Sequence, residues 1–141
     1  MKKILAMLTI SSPLLLTGCI PAYQLPKNTH AIARVNASAV NGPEIKVANQ
    51  WQRLIKDKNG NTFIPAGRRL TVGNNFDVSQ DEGDWVEEIS CFPKVSFLPR
   101  QKNEYFFDFH IKKGTCFFMV LKRPKNSTQP YRLDTTVIKE I

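Results

Sequence analysis

Two consecutive segments decide the fold of this chain: Glu104-Tyr-Phe-Phe-Asp-Phe-His-Ile-Lys112 and Thr115-Cys-Phe-Phe-Met-Val-Leu-Lys-Arg123. In the first segment every odd position from 105 to 111 is apolar, whereas the even positions from 106 to 110 mix Phe with Asp and His. This period of two is typical of a strand with one buried face. The second segment is apolar on both faces, which indicates a central strand. Lys113-Gly114 predicts the turn that joins them.

Shorter runs of the same kind fill most of the chain after residue 29. They are separated by Gly, Pro and Asn, residues that favour turns. The predicted strands are 30–36, 44–48, 51–57, 61–64, 68–73, 85–91, 94–98 and 131–139. No window shows a helical stripe. We therefore expect one all-β domain over residues 30–141, a two-sheet antiparallel β-sandwich of about eight strands.

The N-terminal segment has the composition of an export signal. Met1-Lys2-Lys3 is basic, and the mainly apolar run 4–16 is too short to span a bilayer. The run ends in Leu16-Thr17-Gly18-Cys19, which resembles the lipobox of bacterial lipoprotein precursors. The resemblance implies cleavage between Gly18 and Cys19, and acylation of Cys19. An ordinary secretory signal or an apolar cytosolic N-terminus is the alternative interpretation.

A lipobox implies both a location and a domain organisation. Residues 1–18 would be the signal peptide, and residues 19–29 the lipidated cysteine and a flexible tether reaching about 30 Å. Several acyl chains inserted together make an effectively permanent anchor, so the membrane itself is the first expected partner. Ile20 stands where Asp retains lipoproteins in the inner membrane of enteric-type bacteria. The expected location is therefore the outer membrane, with the domain facing the periplasm.

The chain is basic, with a formal net charge of +8 for the whole sequence. Removing the signal segment leaves a charge of about +6, because Lys2 and Lys3 leave with it. A basic surface attracts anionic partners, among which peptidoglycan and lipopolysaccharide fit an envelope protein. The basic residues are scattered, however, which favours solvated loops and charged strand edges.

Two cysteines remain once Cys19 is lipidated. In an oxidising compartment Cys91 and Cys116 are expected to form a disulfide. Closing a loop of about 25 residues would stabilise the fold by roughly 3.5 kcal/mol. A zinc site is a poor alternative, since His30 and His110 offer no paired ligand spacing. A catalytic thiol would leave the other cysteine unexplained.

A second resemblance covers about residues 64–120. It is carried by Ile64-Pro-Ala-Gly-Arg-Arg-Leu-Thr-Val72, Cys91, Val95-Ser-Phe-Leu-Pro99, Tyr105 and Cys116. These are similar to motifs of small bacterial envelope lipoproteins with a prealbumin-like or immunoglobulin-like sandwich, in which a Pro-Ala-Gly-Lys/Arg turn launches a strand. Lys102-Asn103 departs from that pattern, which usually has glycine before the tyrosine strand. The resemblance implies a fold and leaves the function open.

Motifs for catalysis are scarce. The sequence has no G-x-S-x-G, Walker, H-E-x-x-H or G-x-G-x-x-G motif, so we expect no enzyme, no catalytic residue, no cofactor and no metal. The acidic segment 77–88 partly matches an EF-hand, but Gly83 comes one position too late for the sharp turn. An exposed acidic loop is the better interpretation.

Aromatic residues provide the candidate binding surface. Phe106 and Phe117 would form a partner patch if they face away from the disulfide, and Arg68, Arg69, Lys112 and Lys122 could add charge for a glycan. We therefore expect a non-enzymatic protein-interaction or structural module that binds an envelope protein. The alternative is a basic ligand-binding module for peptidoglycan or lipopolysaccharide. Nucleic acid is not an expected partner in that compartment.

Overall fold

A computed structural model describes residues 18–81 and 86–141, so the predicted signal segment lies almost wholly outside the described residues. The described chain is all-β without a helix, as predicted, and none of it is a helix able to cross a membrane. Its strands number twelve rather than about eight. They are β1 (Ile32–Asn36), β2 (Pro43–Val47), β3 (Gln50–Arg53), β4 (Asn61–Pro65), β5 (Leu70–Asn74), β6 (Phe76–Asp81), β7 (Val86–Cys91), β8 (Lys94–Phe97), β9 (Asn103–Lys112), β10 (Thr115–Pro124), β11 (Arg132–Leu133) and β12 (Ile138–Glu140).

The strands form two five-stranded sheets and a two-stranded ribbon. The first sheet has the order β11-β10-β9-β1-β4, the second sheet β12-β8-β5-β2-β3, and the ribbon pairs β6 with β7. All pairs of strands are antiparallel except β1 and β9, which corrects the expectation of a wholly antiparallel fold. Parallel strands cannot be joined by a tight hairpin turn and need a long connection. The many residues between β1 and β9 in the chain provide that connection.

The two sheets pack through one cluster of buried apolar side chains. The first sheet contributes Val35, Ile64, Phe107 and Val120, among others, and the second contributes Ile45, Val72 and Phe97. The ring of Phe97 lies 5.3 Å from that of Tyr105 and 5.9 Å from that of Phe107, between ring centroids. Burial of each such side chain contributes about 1.5–3 kcal/mol, so this cluster holds the sheets together.

The longest pairing in the fold joins β9 to β10, as the opening segments predict. Its register places Phe107 opposite Val120, and Phe106 opposite Leu121. Both turn residues have positive φ, 50° at Lys113 and 72° at Gly114. That conformation matches the twist of a two-residue hairpin loop. The alternation of the sequence therefore corresponds to one face of β9 in the core and one face outside it.

The predicted disulfide between Cys91 and Cys116 is present, with 6.3 Å between the two Cα atoms. It joins the end of the ribbon strand β7 to the start of β10 in the first sheet. Phe76, which pairs with Cys91 across the ribbon, also packs on Phe109, with 5.0 Å between ring centroids.

The ribbon takes up most of the segment 77–88, so the expectation of an acidic loop is wrong for residues 77–81 and 86–88. Regular pairing of the two halves of that segment explains the difference.

The predicted last strand, residues 131–139, is divided between the sheets. β11 pairs with β10 in the first sheet, whereas β12 pairs with β8 in the second. Asp134 makes the crossing turn, since its carboxylate accepts a 2.8 Å hydrogen bond from the Thr136 amide and its carbonyl accepts one of 3.2 Å from Val137. A side chain that caps its own turn favours a break in the strand at this position.

Part of the predicted tether is paired with the domain. Ala22 forms a parallel bridge with Arg53 of the edge strand β3. The Arg53 amide donates to the Pro21 carbonyl, and the Tyr23 amide donates to the Arg53 carbonyl, each at 2.8 Å. Tyr23 also packs against the buried cluster. The chain therefore meets the second sheet only two residues after Cys19.

Candidate functional site

The outer face of the first sheet, which points away from the buried cluster, carries both predicted aromatic residues. The register pairs Phe117 with His110 and Phe106 with Leu121, whereas Cys116 pairs with Ile111 on the opposite side. Phe106 and Phe117 therefore face away from the disulfide. Phe117 is 40% exposed and stacks on the His110 ring at 5.1 Å. The predicted partner patch required that both side chains face away from the disulfide, and this condition is met.

Further apolar side chains extend this face across the sheet. They include Phe63 on β4, which is 49% exposed, and Leu133 on β11, which is 63% exposed. Leu133 pairs with Leu121, and Met119 pairs with Asp108 on the same side. An outer sheet face is commonly polar, and an extended apolar patch marks an interaction site.

A three-residue ion cluster lies on this face where β9 begins and β10 ends. The register places Arg34 of β1 and Arg123 of β10 on either side of Glu104 of β9. Arg34 donates to one carboxylate oxygen of Glu104, and Arg123 donates to the other. Glu104 is only 2% exposed. Two cations share one carboxylate, so the cluster keeps a net positive charge.

The electrostatics of the cluster keep Glu104 ionised. Burial alone would raise its pKa, but the hydrogen bonds and positive charges of Arg123 and Arg34 outweigh burial and hold the pKa of Glu104 below its ordinary value. The Arg123 guanidinium also lies 4.3 Å from the centroid of the Tyr131 ring. Burial, and then the charge of Glu104, raise the pKa of Tyr131. The cluster is thus a charged Arg-Glu-Arg group beside a neutral tyrosine.

A cleft of about 330 Å³ opens beside the ion cluster. Its walls include Arg34, Arg123, Asn36, Asn61, Phe106 and Tyr131. Asn36 donates to the Asn61 side chain at 3.2 Å and to the Asn59 carbonyl at 3.1 Å. Arg34 also lines a second cleft of about 220 Å³ with Phe63. Because the Arg34 side chain is 48% exposed, it presents guanidinium donors between these two clefts.

Of the four basic residues that were predicted to flank the aromatic face, only Lys112 lies on it. Arg69 donates to the Thr136 carbonyl at 2.9 Å and to the Ser96 hydroxyl at 3.3 Å, on the side of the second sheet. Lys122 lies opposite Tyr105 on the core side of β10 and pairs with Asp134 at 3.1 Å. Arg68 is exposed in the β4–β5 connection. Lys112 shares the side of Phe106 and Phe117, and it lies two positions after His110, the residue that pairs with Phe117.

Sequence reasoning missed Arg34, Glu104 and Arg123 as a group. Alternation alone would assign Arg34 to the outer side of β1, because Ala33 and Val35 flank it and both are buried. It would likewise place Glu104 on the side of Phe106. The missing information was the register of β1 against β9, which brings together residues 70 positions apart.

Two further observations bear on chemistry. Cys19 is an exposed free cysteine. No group of three or more His, Cys, Asp or Glu residues in the described ranges could hold a metal ion.

Comparison of the chain with protein-family models, curated proteins and solved structures gives no match.

Proposed function

We propose that this protein is a lipoprotein of the bacterial envelope, anchored through acylated Cys19 after cleavage behind Gly18. Its two sheets form a β-sandwich that acts as a non-enzymatic protein-interaction module at the outer membrane, facing the periplasm. The Leu16-Thr17-Gly18-Cys19 motif supports the anchor. The Cys91–Cys116 disulfide fits an oxidising compartment.

The observation that carries the interaction proposal is the outer face of the first sheet. Phe63 and Leu133 are exposed there on either side of the Arg34–Glu104–Arg123 cluster, and Phe117 is exposed farther along the same face. Aromatic and arginine side chains are the residues in which protein interfaces are enriched. The partner that fits is an envelope protein with an apolar surface and a carboxylate that meets Arg34.

The mechanism of such a module is positional. A lipid anchor confines the domain to the membrane surface, which raises its effective concentration for a partner held at the same membrane. The face then needs only a modest affinity of its own. No step requires a reacting group.

The interaction is tested by photo-crosslinking in the native envelope. A photoreactive residue replaces Phe63 in one variant and Phe117 in another, and exposed Lys58 in the control variant. We expect both aromatic positions to capture the same protein and Lys58 to capture none. Both products should weaken when Arg34→Gln is added. Unrelated products from the two positions, or an equal yield from Lys58, would contradict the interface.

The anchor is tested separately by Cys19→Ala. The wild-type chain should partition into detergent and carry acyl mass on a peptide that begins at Cys19. The Cys19→Ala chain should be neither cleaved nor acylated. A processed Cys19→Ala chain that still partitions into detergent would refute the lipoprotein proposal.

The polar cleft favours one other function, that of a binding module for peptidoglycan or lipopolysaccharide. Arg34, Asn36 and Asn61 supply hydrogen-bonding groups for a glycan, and Tyr131 supplies a ring. Binding to purified sacculi or lipopolysaccharide that falls steeply with salt, and falls with Arg34→Gln but not with Arg68→Gln, would favour this function. Capture of one protein regardless of salt would favour the interaction module.

A further inference from the structure

The outer face of the second sheet lies beside the proposed anchor. Residues 21–23 run parallel to β3, because Ala22 bridges Arg53. Cys19 therefore lies back toward the start of β3 and its turn with β2. Only Ile20 separates it from Pro21, and a fully extended chain rises by about 3.5 Å per residue. A lipid on Cys19 would hold this part of the second sheet within about 10 Å of the bilayer surface.

Two aromatic rings lie on that outer face. Trp51 contacts Phe92 edge to face, with 4.7 Å between ring centroids. Phe92 reaches over Gly73, where a Cβ atom would stand 2.9 Å from its ring. The Lys94 ammonium lies 5.9 Å from the Phe92 centroid. Tryptophan beside lysine is the combination that favours a membrane–water interface.

The charges on this face are mainly positive. The register places Lys46 with Trp51, Arg53 with Glu44, and Lys94 with Glu140. Arg69 reaches the same side through its bond to Ser96. Glu44 is buried, whereas Lys46 and Arg53 are exposed. Basic side chains at the surface are attracted to anionic lipid headgroups.

We propose that the outer face of the second sheet rests on an anionic lipid surface, with Trp51 at the headgroup level and Lys46, Arg53 and Lys94 among the phosphates. This orientation rests on the proposed anchoring at Cys19. The two outer faces lie on opposite sides of the buried cluster, so the face with Phe117 points away from the membrane, where a partner can reach it. The anchor then sets an orientation as well as a location.

The test attaches the chain to lipid chemically, so that it does not depend on acylation in the cell. A chain that begins at Cys19 keeps both sheets and the whole buried cluster, which lie between residues 23 and 140. Cys19 is its only free thiol and can be coupled to a maleimide lipid in vesicles. Trp85→Phe leaves Trp51 as the sole tryptophan. The readout is quenching of Trp51 fluorescence by brominated lipids.

We expect strong quenching on vesicles of phosphatidylglycerol and phosphatidylcholine in equal parts, and weak quenching on phosphatidylcholine alone. Quenching of Trp51 gives the equilibrium constant between the docked and undocked orientations of the attached domain. Lys46→Ser and Lys94→Ser should each lower this constant about fivefold. The matched variants Lys58→Ser and Lys102→Ser should leave it unchanged. High salt should also reduce the quenching of Trp51 in the chain with both lysines. This measurement tests the charge attraction without a substitution that could disturb the fold.

A second probe reports the opposite face. In a chain that keeps Trp51 and carries Trp85→Phe, Phe117→Trp should add fluorescence that is not quenched on the same vesicles. Equal quenching at the two probe positions, or quenching of Trp51 that ignores lipid charge, would overturn the orientation. Such a result would leave the anchor standing, because the anchor is judged by Cys19→Ala in cells.

Discussion

The two outer faces of this domain both combine aromatic rings with cations, but they hold the cations differently. On the first sheet Arg34 and Arg123 are fixed by the buried carboxylate of Glu104. On the second sheet Lys46 and Arg53 form no ion pair with any residue that the structure describes. Fixed, planar guanidinium groups suit a partner with matching geometry, whereas exposed cations on flexible side chains suit a diffuse surface of negative charge. The difference favours one recognition face and one lipid face.

The largest effect on this comparison is expected from Glu104→Gln. The change leaves two guanidinium groups facing a neutral amide in a buried position, which should cost about 2–3 kcal/mol of unfolding free energy. Its control on the second sheet is Glu140→Gln, which should stay within about 0.5 kcal/mol of the unaltered chain. Urea unfolding at pH 7 measures both. Equal losses would show that the carboxylate of Glu104 does not hold the face together.

The pH dependence of that loss follows from the depressed pKa of Glu104. Its ionised form is stabilised in the folded chain, so its contribution is fully present above the ordinary value of 4.5 and declines as pH falls through the lower folded pKa. The stability gap between the unaltered chain and Glu104→Gln should therefore be constant from pH 7 to about 5 and close in more acidic solution. A gap that is unchanged at pH 3 would mean that charge is not its cause.

The next largest effect concerns the segment that joins the proposed anchor to the second sheet. Tyr23→Ala removes a ring packed on the buried cluster and should cost about 1–2 kcal/mol. Tyr23→Phe should be neutral or slightly stabilising, because the buried Tyr23 hydroxyl finds no partner among the described residues. Hydrogen exchange at the Arg53 amide, which bonds to Pro21, should accelerate only in Tyr23→Ala. Acceleration in both variants would indicate that the ring does not dock the segment.

The parts of the fold that could be predicted are those that local spacing determines. Alternation divided β9 and β10 into two faces each and offered Phe106 and Phe117 as a conditional patch, and an even pair of cysteines was enough to predict the Cys91–Cys116 bond. The ion cluster could not be predicted, because it depends on how β1 lies against β9, strands far apart in the chain. Tyr23 was also missed, since a proline-rich segment gives no sign of the edge strand that it joins.

The smallest effect is expected from Glu44→Gln, and its sign should be opposite to that of Glu104→Gln. Burial raises the pKa of Glu44, and the charge of Arg53 only partly offsets this. The ionised carboxylate is therefore destabilising in the folded chain, and removing its charge should stabilise the protein at pH 7 by up to about 1 kcal/mol.

This stabilisation should depend on pH. A group whose pKa is raised by folding contributes stability below its pKa in the unfolded chain, and that contribution is lost as pH rises through its pKa in the folded chain. The advantage of Glu44→Gln should accordingly vanish below about pH 4.5, as measured by thermal unfolding across pH. A destabilised Glu44→Gln would mean that Arg53 holds Glu44 as firmly as Arg34 and Arg123 hold Glu104, and the contrast between the two faces would disappear.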